Sequence, residues 1–292
     1  MRIKQSTGEK VFDFFNIAFL ILLSFIALVP ILHVVAGSLS SPNAIIHGEV
    51  FLWPVGFTFE HFGLVINTGP FWKALWTTIQ VVAIATTLNM VLTVFGSYPL
   101  SKMNLRGRKS ILLFIIFTMI FHAPLIPVYM VVKELHLLNT IWALIVPGAV
   151  AAFNMILCIT FFRGLPEELF EAAKVDGMND YRIVMQIAVP LSKPILFTLL
   201  LFYSVGHWNS YMAPLLYITD RDLQTLQMYI YFLMQGALSD TTAAAAVESS
   251  LSMVPKALEM ATIVLATTPI VILYPFFQKH FVKGATLGSV KG

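Results

Sequence analysis

The chain has 292 residues, of which 58% are apolar and only 11% are charged, and its formal net charge is +3. An ordinary soluble domain carries about 25% charged residues, so this composition excludes a typical water-soluble protein and indicates a lipid membrane as the environment. The basic balance requires no nucleic-acid partner, because the positive charges flank apolar segments.

Six apolar stretches, free of charge except at their ends, predict six membrane-spanning helices. Each can supply the roughly 20 apolar residues that cross a bilayer. The predicted spans cover about residues 12–37, 75–99, 110–132, 140–162, 194–218 and 258–280. The first could be mistaken for a secretory signal, but its apolar core exceeds the roughly 7 to 15 residues of a signal, so we expect a retained helix. The fold class is therefore an all-α integral membrane protein, with a single transmembrane domain over residues 1–292.

The basic residues predict the orientation of these spans. With the N-terminus in the cytoplasm, 14 of the 18 Lys and Arg residues lie inside. The four that lie outside are Lys73, Lys133, Arg221 and Lys256. Because Lys and Arg accumulate in cytoplasmic loops, we expect both termini to be cytoplasmic. Two long loops, at about 39–73 and 220–256, then face outward, and the second carries leucines and isoleucines at helical spacing.

The interiors of the predicted spans favour transport without ion coupling. Proline frees a backbone carbonyl that a packed bundle or a water-lined cavity must satisfy. Seven prolines interrupt the spans: Pro30, Pro124, Pro127, Pro147, Pro214, Pro269 and Pro275. Intramembrane carboxylates are the usual carriers of ion coupling, and the interiors of the spans contain none, since Asp13 and Glu259 lie at the ends of the first and the last. Three histidines remain, His33, His122 and His207, and they share no ligand spacing.

The chain lacks the motifs of an enzyme. It contains no GxxxxGK[ST] loop for a nucleotide and no GxSxG, HExxH or paired-cysteine motif. The single cysteine, Cys158, excludes an intramolecular disulfide and is most simply a small apolar side chain. We therefore expect no catalytic residue, no metal site and no cofactor in this chain, and a partner must supply any energy for transport.

A short polar segment, RGLPEELFEAAKVDG, interrupts the apolar sequence between the fourth and fifth spans. It predicts a helix over about 166–177, with Pro166 at the first helical position and Gly177 in the left-handed position that ends a helix. Its four acidic residues exclude it from the bilayer. An exposed helix with apolar rows docks in a groove of another protein or packs against the ends of its own helices, and the physical arguments favour neither.

The following sequence carries a family resemblance. EAAKVDGMNDYRIVMQIAVPLSKP, at 171–194, resembles the EAA motif of ABC importer permeases, although Met178 stands where a small residue is more usual. FFRGLPEEL, WNSYMAPLLY and the terminal YPFFQKHFVKGATLGSVKG are similar to permeases of carbohydrate importers, in particular the maltose-type second permease and the permeases for alginate or rhamnogalacturonan fragments. The resemblance covers nearly the whole chain.

This resemblance implies a multi-pass permease subunit in the bacterial cytoplasmic (inner) membrane that imports an oligosaccharide by alternating access. It implies as partners a second homologous permease subunit, two ATPase subunits that bind ATP and Mg, and an extracytoplasmic solute-binding protein. It also implies that the EAA segment is a coupling helix seated on the ATPase. The coupling residues are then Leu169, Phe170, Glu171, Ala172, Ala173, Asp176 and Gly177. Glu171 would make a polar contact, the alanines would permit close seating, and the last two residues would form the turn.

Two further groups of residues are candidates for contact with substrate or partner. Glycans are held by aromatic faces and uncharged hydrogen-bonding groups, and the candidate pathway residues are Asn154, His207, Trp208, Asn209 and Tyr211. Hydrogen bonding between helices would explain these residues equally well. The candidates for contact with the binding protein are Asp220, Leu226, Tyr229, Gln235 and Gly236. A secondary transporter or channel, or a membrane scaffold for a cytoplasmic partner, remains an alternative function.

Overall fold

The computed structural model describes residues 7–121, 123–235 and 255–288, so His122 and Gly236 lie outside the described residues. All regular elements within these ranges are helices, and none of the described residues forms a β-strand. The chain divides into two compact units. One comprises Met1–Gly69 with Phe232–Thr268, and the other comprises Pro70–Tyr231 with Pro269–Gly292.

The chain begins with a long helix, α1 (Thr7–Ser38), followed by two short helices, α2 (Pro42–Ile46) and α3 (Glu60–Ile66). The side chains of α1 are apolar on all sides and most are exposed, as expected of a helix whose surroundings are apolar. At its end the buried Ser40 accepts a hydrogen bond at 2.9 Å from His61 Nε2, through its carbonyl oxygen. Ser40 Oγ also accepts from the Val55 backbone N–H at 3.0 Å, so this pair fixes the first outer loop.

Two elements follow that differ in shape. Helix α4 (Gly69–Ser101) runs for 33 residues. Its end is capped by Arg108, whose Nε donates to the Leu100 carbonyl oxygen at 2.8 Å. The next two helices, α5 (Arg108–Ile120) and α6 (Leu125–Glu134), are inclined to each other by 113°. The third predicted span is therefore a bent pair of helices.

The predicted span at 140–162 is not one helix. Helix α7 (Trp142–Ile145) ends before Pro147, and α8 (Ala152–Arg163) begins five residues after that proline. Proline lacks the N–H that a helix interior requires and its ring clashes with the preceding turn. Pro147 and Gly148 thus account for a stretch of open backbone in the middle of this segment.

The polar segment and the helices after it complete the chain. Helices α9 (Glu167–Val175) and α10 (Asp180–Ile183) precede a π-helical turn (Val184–Ala188) and α11 (Val189–Leu191). Helix α12 (Lys193–Trp208) is inclined by 87° to the segment Asp180–Leu191. The chain continues through α13 (Met212–Tyr217), a 3-10 turn (Arg221–Leu223), α14 (Leu226–Met234) and α15 (Pro255–Gly288).

The helices that could cross a membrane can be counted from length and composition. Among the described residues, three qualify: Lys10–Ser38, Gly69–Ser101 and Lys256–Leu273. The number rises to five if each of the two bent pairs is one span. The all-helical membrane architecture thus agrees with the sequence, whereas the count of six spans and the placement of both termini in the cytoplasm stay predictions.

Candidate functional site

The polar segment forms the helix that its sequence predicts. Helix α9 spans nine residues, Glu167–Val175, with Glu167 and Glu168 in its first turn, where carboxylates favour the positive end of the helix dipole. Pro166 lies immediately before the helix rather than at its first position. Gly177 has a φ of 77°, the left-handed conformation expected of it. The resemblance of its sequence predicts a coupling role for α9, and we use the name coupling helix for α9 in that sense.

The two rows of the coupling helix have different surroundings. Phe170 is 3% exposed and Ala173 is 4% exposed, because both pack into a core formed by this chain. Leu169, Ala172 and Val175 are exposed, and Val175 is 88% exposed. This corrects the assignment of Phe170 and Ala173 to a partner contact, since buried side chains have no surface to offer.

The core beneath the coupling helix connects it to three apolar helices. The residues that share this core with Phe170 and Ala173 include Val94, Tyr98, Cys158, Phe162, Leu199 and Tyr203. They come from α4, α8 and α12. Met178, which departs from the family pattern, packs against the same core. The coupling helix is therefore part of the apolar packing of this unit.

A cation lies against the buried row of the coupling helix. Lys102, which directly follows α4, places its Nζ 3.7 Å from the centroid of the Phe170 ring and 5.5 Å from that of Tyr98. Such cation–π contacts contribute about 0.5 to 2 kcal/mol. Burial lowers the pKa of the Lys102 ammonium, and the nearby Glu167 carboxylate acts in the opposite direction. Lys102 therefore ties the end of α4 to the coupling helix.

A row of polar side chains on α4 was missed by the sequence analysis. Asn89, Thr93 and Ser97 recur at every fourth residue, which places them on one helix face, and all three are fully buried. We call them the polar seam. A search for polar residues at this spacing in an apolar helix would have found it, since a polar group buried in lipid or protein needs a partner.

Each member of the polar seam has a hydrogen-bond partner on another segment. Asn89 Nδ2 donates to the Gly148 carbonyl oxygen at 2.7 Å, within the open backbone between α7 and α8. Thr93 Oγ1 shares a hydrogen bond of 2.7 Å with the Tyr203 hydroxyl. Ser97 Oγ donates to the Met155 carbonyl oxygen at 3.2 Å. The seam thus satisfies the Gly148 carbonyl in the open backbone between α7 and α8 and joins α4 to α8 and α12.

His207 extends the polar seam to a cavity. Its Nε2 lies 2.8 Å from Asn89 Oδ1 and is the donor, because an amide oxygen can only accept. The amide nitrogen of Asn89 is turned the other way and donates to Gly148. A cavity of about 480 Å³ opens beside this pair. Its lining comprises Ala143, Leu144, Pro147, Gly148, Ala151, Asn154, Phe202, Tyr203, Gly206, His207, Ser210, Ala213 and Tyr217. The wall is therefore uncharged, with aromatic, hydroxyl, amide and imidazole groups.

The five pathway candidates fall into two groups. Asn154 and His207 line this cavity, whereas Trp208, Asn209 and Tyr211 do not. Trp208 is buried and its indole N–H has no hydrogen-bond partner. Tyr211 is exposed and stacks on Tyr231 with ring centroids 6.4 Å apart. The structure thus brings together two of the five candidates and adds Ser210.

The segment that follows α13 is held by an asparagine that the sequence analysis did not single out. Asn139 has a φ of 58°, and its Oδ1 accepts from the backbone N–H groups of Thr219 at 2.7 Å and Asp220 at 2.9 Å. Its own N–H donates to the Tyr217 carbonyl oxygen at 2.9 Å. Asp220 is consequently exposed on a fixed turn.

Two candidates for contact with a binding protein are internal. Leu226 is 0% exposed and its N–H donates to Thr78 Oγ1 at 2.7 Å. Tyr229 is 7% exposed and lies 6.4 Å from Phe71 between ring centroids. The prediction of direct contact is corrected for both, because their helical row faces the packing of their own chain. Asp220 and Gln235 are exposed.

Residues 6–286 match the family described as "Binding-protein-dependent transport system inner membrane component". The chain belongs to this family. The permease is thus a component of the bacterial inner membrane that works with a binding protein, as the resemblance of its EAA segment implied. Within the described ranges, no group of three or more His, Cys, Asp or Glu side chains could hold a metal ion.

Two curated relatives from Bacillus subtilis (strain 168) match the permease over almost its full length. One is named Protein LplC and is 40% identical over 289 residues, which cover 99% of this chain and 97% of LplC. The other is named Polygalacturonan/rhamnogalacturonan transport system permease protein YtcP. It is 37% identical over 287 residues, which cover 97% of this chain and 99% of YtcP.

Solved structures show the same fold. A chain from a bacterial ABC transporter involved in the import of the acidic polysaccharide alginate superposes with a TM-score of 0.89 at 31% identity, covering 96% of the permease and 99% of that chain. A chain from a bacterial alginate ABC transporter in complex with alginate pentasaccharide-bound periplasmic protein has a TM-score of 0.59 at 12% identity and covers 94% and 96%. The second likeness concerns the fold alone.

Proposed function

We propose that the permease, together with a second homologous permease subunit, forms the membrane pathway of an ATP-driven importer for oligosaccharides, with acidic, alginate-like fragments as the preferred class. The observation that carries this proposal is the TM-score of 0.89 and 31% identity with a chain of the alginate importer. The name of the relative YtcP, a permease for polygalacturonan and rhamnogalacturonan, supports the same substrate class.

The proposed energy source is a pair of ATPase subunits that bind ATP and Mg outside this chain, so the permease itself is not the enzyme. The exposed row of the coupling helix, with Leu169, Ala172 and Val175, would seat on one of them, and Glu171 would add a polar contact. Asp176 and Gly177 would set the angle of the helix. Closure of the ATPase pair would then displace the coupling helix and exchange inward for outward access.

The cavity beside the polar seam is the proposed part of the sugar pathway in this chain. Asn154, His207 and Ser210 offer uncharged hydrogen-bonding groups, and the aromatic rings of the wall offer faces for sugar rings. The wall contains no fixed charge, so an acidic glycan would find its counter-charges on the second permease subunit. An extracytoplasmic binding protein would deliver the glycan near Asp220 and Gln235.

The test is the ATPase activity of the assembled complex in proteoliposomes. The complex would be purified with its native partner chains and given its binding protein with uronate oligosaccharides, neutral pentose oligosaccharides or no sugar. We expect uronate oligosaccharides to stimulate hydrolysis most and to enter the lumen only when ATP is present. Stimulation by no oligosaccharide, or uptake that continues without ATP, would contradict the proposal and favour a secondary transporter or channel.

A matched pair of surface variants tests the proposed role of the coupling helix in the same assay. Val175→Glu places a charge on the exposed row, and Met103→Glu places one on a similarly exposed side chain in the loop after α4. We expect Val175→Glu to lose at least about ten-fold of the co-purified ATPase, since a buried unpaired charge costs several kcal/mol. Met103→Glu should retain it. If both variants retain the ATPase equally, the exposed row does not contact it.

A further inference from the structure

A second cavity, of about 600 Å³, lies between the end of α4 and the coupling helix. Part of its lining is basic: Lys102 and Arg106 follow α4, and Lys174 belongs to the last turn of the coupling helix. One carboxylate, that of Asp180, faces the same space. The remaining lining residues are Phe95, Tyr98, Pro99, Asn104, Leu105, Tyr181 and Val184. The cavity therefore combines an excess of positive charge with apolar and aromatic walls.

The three cations of this cavity are not neutralised by contact. Among the described residues, the ion pair closer than 4.0 Å is Lys73–Asp222, which is elsewhere in the chain. Lys102 is half-buried against the Phe170 ring, so its charge is held in place rather than free to turn away. The carboxylates of Glu167, Asp180 and Glu171 act on Lys102 only at longer range, and the Lys174 ammonium opposes them. A group with negative charge is thus the chemical complement of this lining.

An apolar strip leads out of the same cavity along α4. Phe95 forms part of the lining and stacks on Tyr181, with ring centroids 5.7 Å apart and planes at 9°. Val91 and Leu92 lie four and three residues before Phe95, so they share its helix face, and all three are exposed. The strip belongs to α4, which is long and apolar enough to span a bilayer.

We propose that this cavity binds the phosphate of an acidic phospholipid headgroup, with an acyl chain along Val91, Leu92 and Phe95. The proposal rests on the proposed function in one respect, namely that the coupling helix faces the cytoplasm. Basic pockets between membrane helices at the cytoplasmic surface bind anionic headgroups. A free phosphate or a nucleotide would satisfy the cations but would leave the apolar strip unused, so the lipid fits both halves of the site.

A headgroup in this position would connect two elements. It would lie between Lys174, on the coupling helix, and Lys102 with Arg106, at the end of α4. The lipid would therefore stabilise the coupling helix against α4 on the side away from its exposed row. Its loss would loosen coupling without removing any residue that contacts the ATPase.

The experiment measures retained lipid on the purified complex by native mass spectrometry, in nanodiscs of phosphatidylcholine with and without phosphatidylglycerol. Arg106→Gln and Lys174→Gln each remove one cation of the cavity, whereas Lys109→Gln removes an exposed cation in the first turn of α5 that does not line it. We expect each cavity variant to weaken phosphatidylglycerol retention about five-fold, because a basic residue near an anionic surface contributes about 1 kcal/mol. The Lys109 variant should match the unmodified chain.

Two outcomes would overturn the site. Equal loss in the Arg106 and Lys109 variants would mean that the attraction is diffuse and the cavity has no special role. Inorganic phosphate that displaces phosphatidylglycerol at equal concentration would mean that the acyl strip contributes nothing and that the ligand is a free anion. Lipid retention needs neither sugar nor ATP, so it can succeed where sugar-stimulated ATPase activity fails, and the two proposals stay separable.

Discussion

Gly177 shows how a single residue sets the geometry of the coupling helix. Its φ is 77°, and a Cβ built on it would meet no atom within 4 Å. A substitution there is consequently opposed by backbone strain and not by a steric clash. The left-handed conformation costs an ordinary L-residue about 1 to 2 kcal/mol, and asparagine tolerates it better than β-branched residues do.

This difference predicts separate effects for two substitutions. Gly177→Val should lower the amount of sugar imported per ATP hydrolysed, with normal membrane insertion, because the chain would relax the strain by tilting the coupling helix. Gly177→Asn should retain most of the coupling. Both would be measured as the ratio of uptake to hydrolysis in proteoliposomes.

Gly107 provides a control for this prediction. It has a φ of 76° and equally open space around its Cβ position, but it precedes α5 rather than following the coupling helix. Gly107→Val should therefore cost similar stability and leave the ratio of uptake to hydrolysis unchanged. If both valine variants lower the ratio equally, the effect belongs to general strain.

At the scale of elements, the polar seam determines how three helices are joined. A typical hydrogen bond contributes only about 0.5 to 1.5 kcal/mol net, whereas a buried polar group left without a partner costs about 1 to 3 kcal/mol. Asn89 is bonded both to the Gly148 carbonyl and to His207. It therefore secures the open backbone of the fourth predicted span and orients a cavity residue at the same time.

The Thr93–Tyr203 hydrogen bond allows a double-mutant test of the seam. Thr93→Val leaves the buried Tyr203 hydroxyl unpaired, so the free energy of unfolding in detergent should fall by about 1 to 3 kcal/mol. Tyr203→Phe in the same background should recover most of this loss, because both partners are then apolar. Additive losses in the double variant would show that the two groups do not depend on each other.

The sequence predicted the local features of the chain, but it could not show which side of each helix packs against the rest of the protein. The coupling helix, its acidic first turn and the left-handed Gly177 follow from capping chemistry that acts within a few residues. The burial of Phe170 and Tyr229 could not be read in this way, because an apolar row has the same spacing whether it meets its own chain or a partner. Pro147 was recognised as a kink, but the Asn89 hydrogen bond that satisfies the open backbone beside it joins residues that are distant in sequence.

For the whole molecule, the orientation in the membrane is the prediction with the widest consequences. The only cysteine in the sequence, Cys158, is fully buried. The unmodified chain should therefore react little with a membrane-impermeant maleimide, and new cysteines can be introduced without removing it. Val175 and Trp53 are strongly exposed side chains that the predicted orientation places on opposite sides of the membrane.

Labelling of intact spheroplasts would test this orientation. Trp53→Cys should react with the impermeant reagent from outside, whereas Val175→Cys should react only after the membrane is opened, because the coupling helix is cytoplasmic. The unmodified chain measures the background from Cys158. Labelling of Val175→Cys in intact spheroplasts would reverse the predicted topology and with it the assignment of the ATPase side.

The burial of Phe170 also sets the free energy that is needed to separate the coupling helix from the apolar helices. The coupling helix can move independently of the apolar helices only if Phe170 leaves the core, and exposing a buried phenylalanine costs about 2 kcal/mol. If the ATPase pair pulls on the coupling helix with less energy than this, the helix and its core should move together. Little of the displacement would then be absorbed by the connecting loops. A smaller side chain at this position would then leave the ATPase bound and the displacement of the coupling helix unchanged. Part of that displacement, however, would no longer reach the apolar helices.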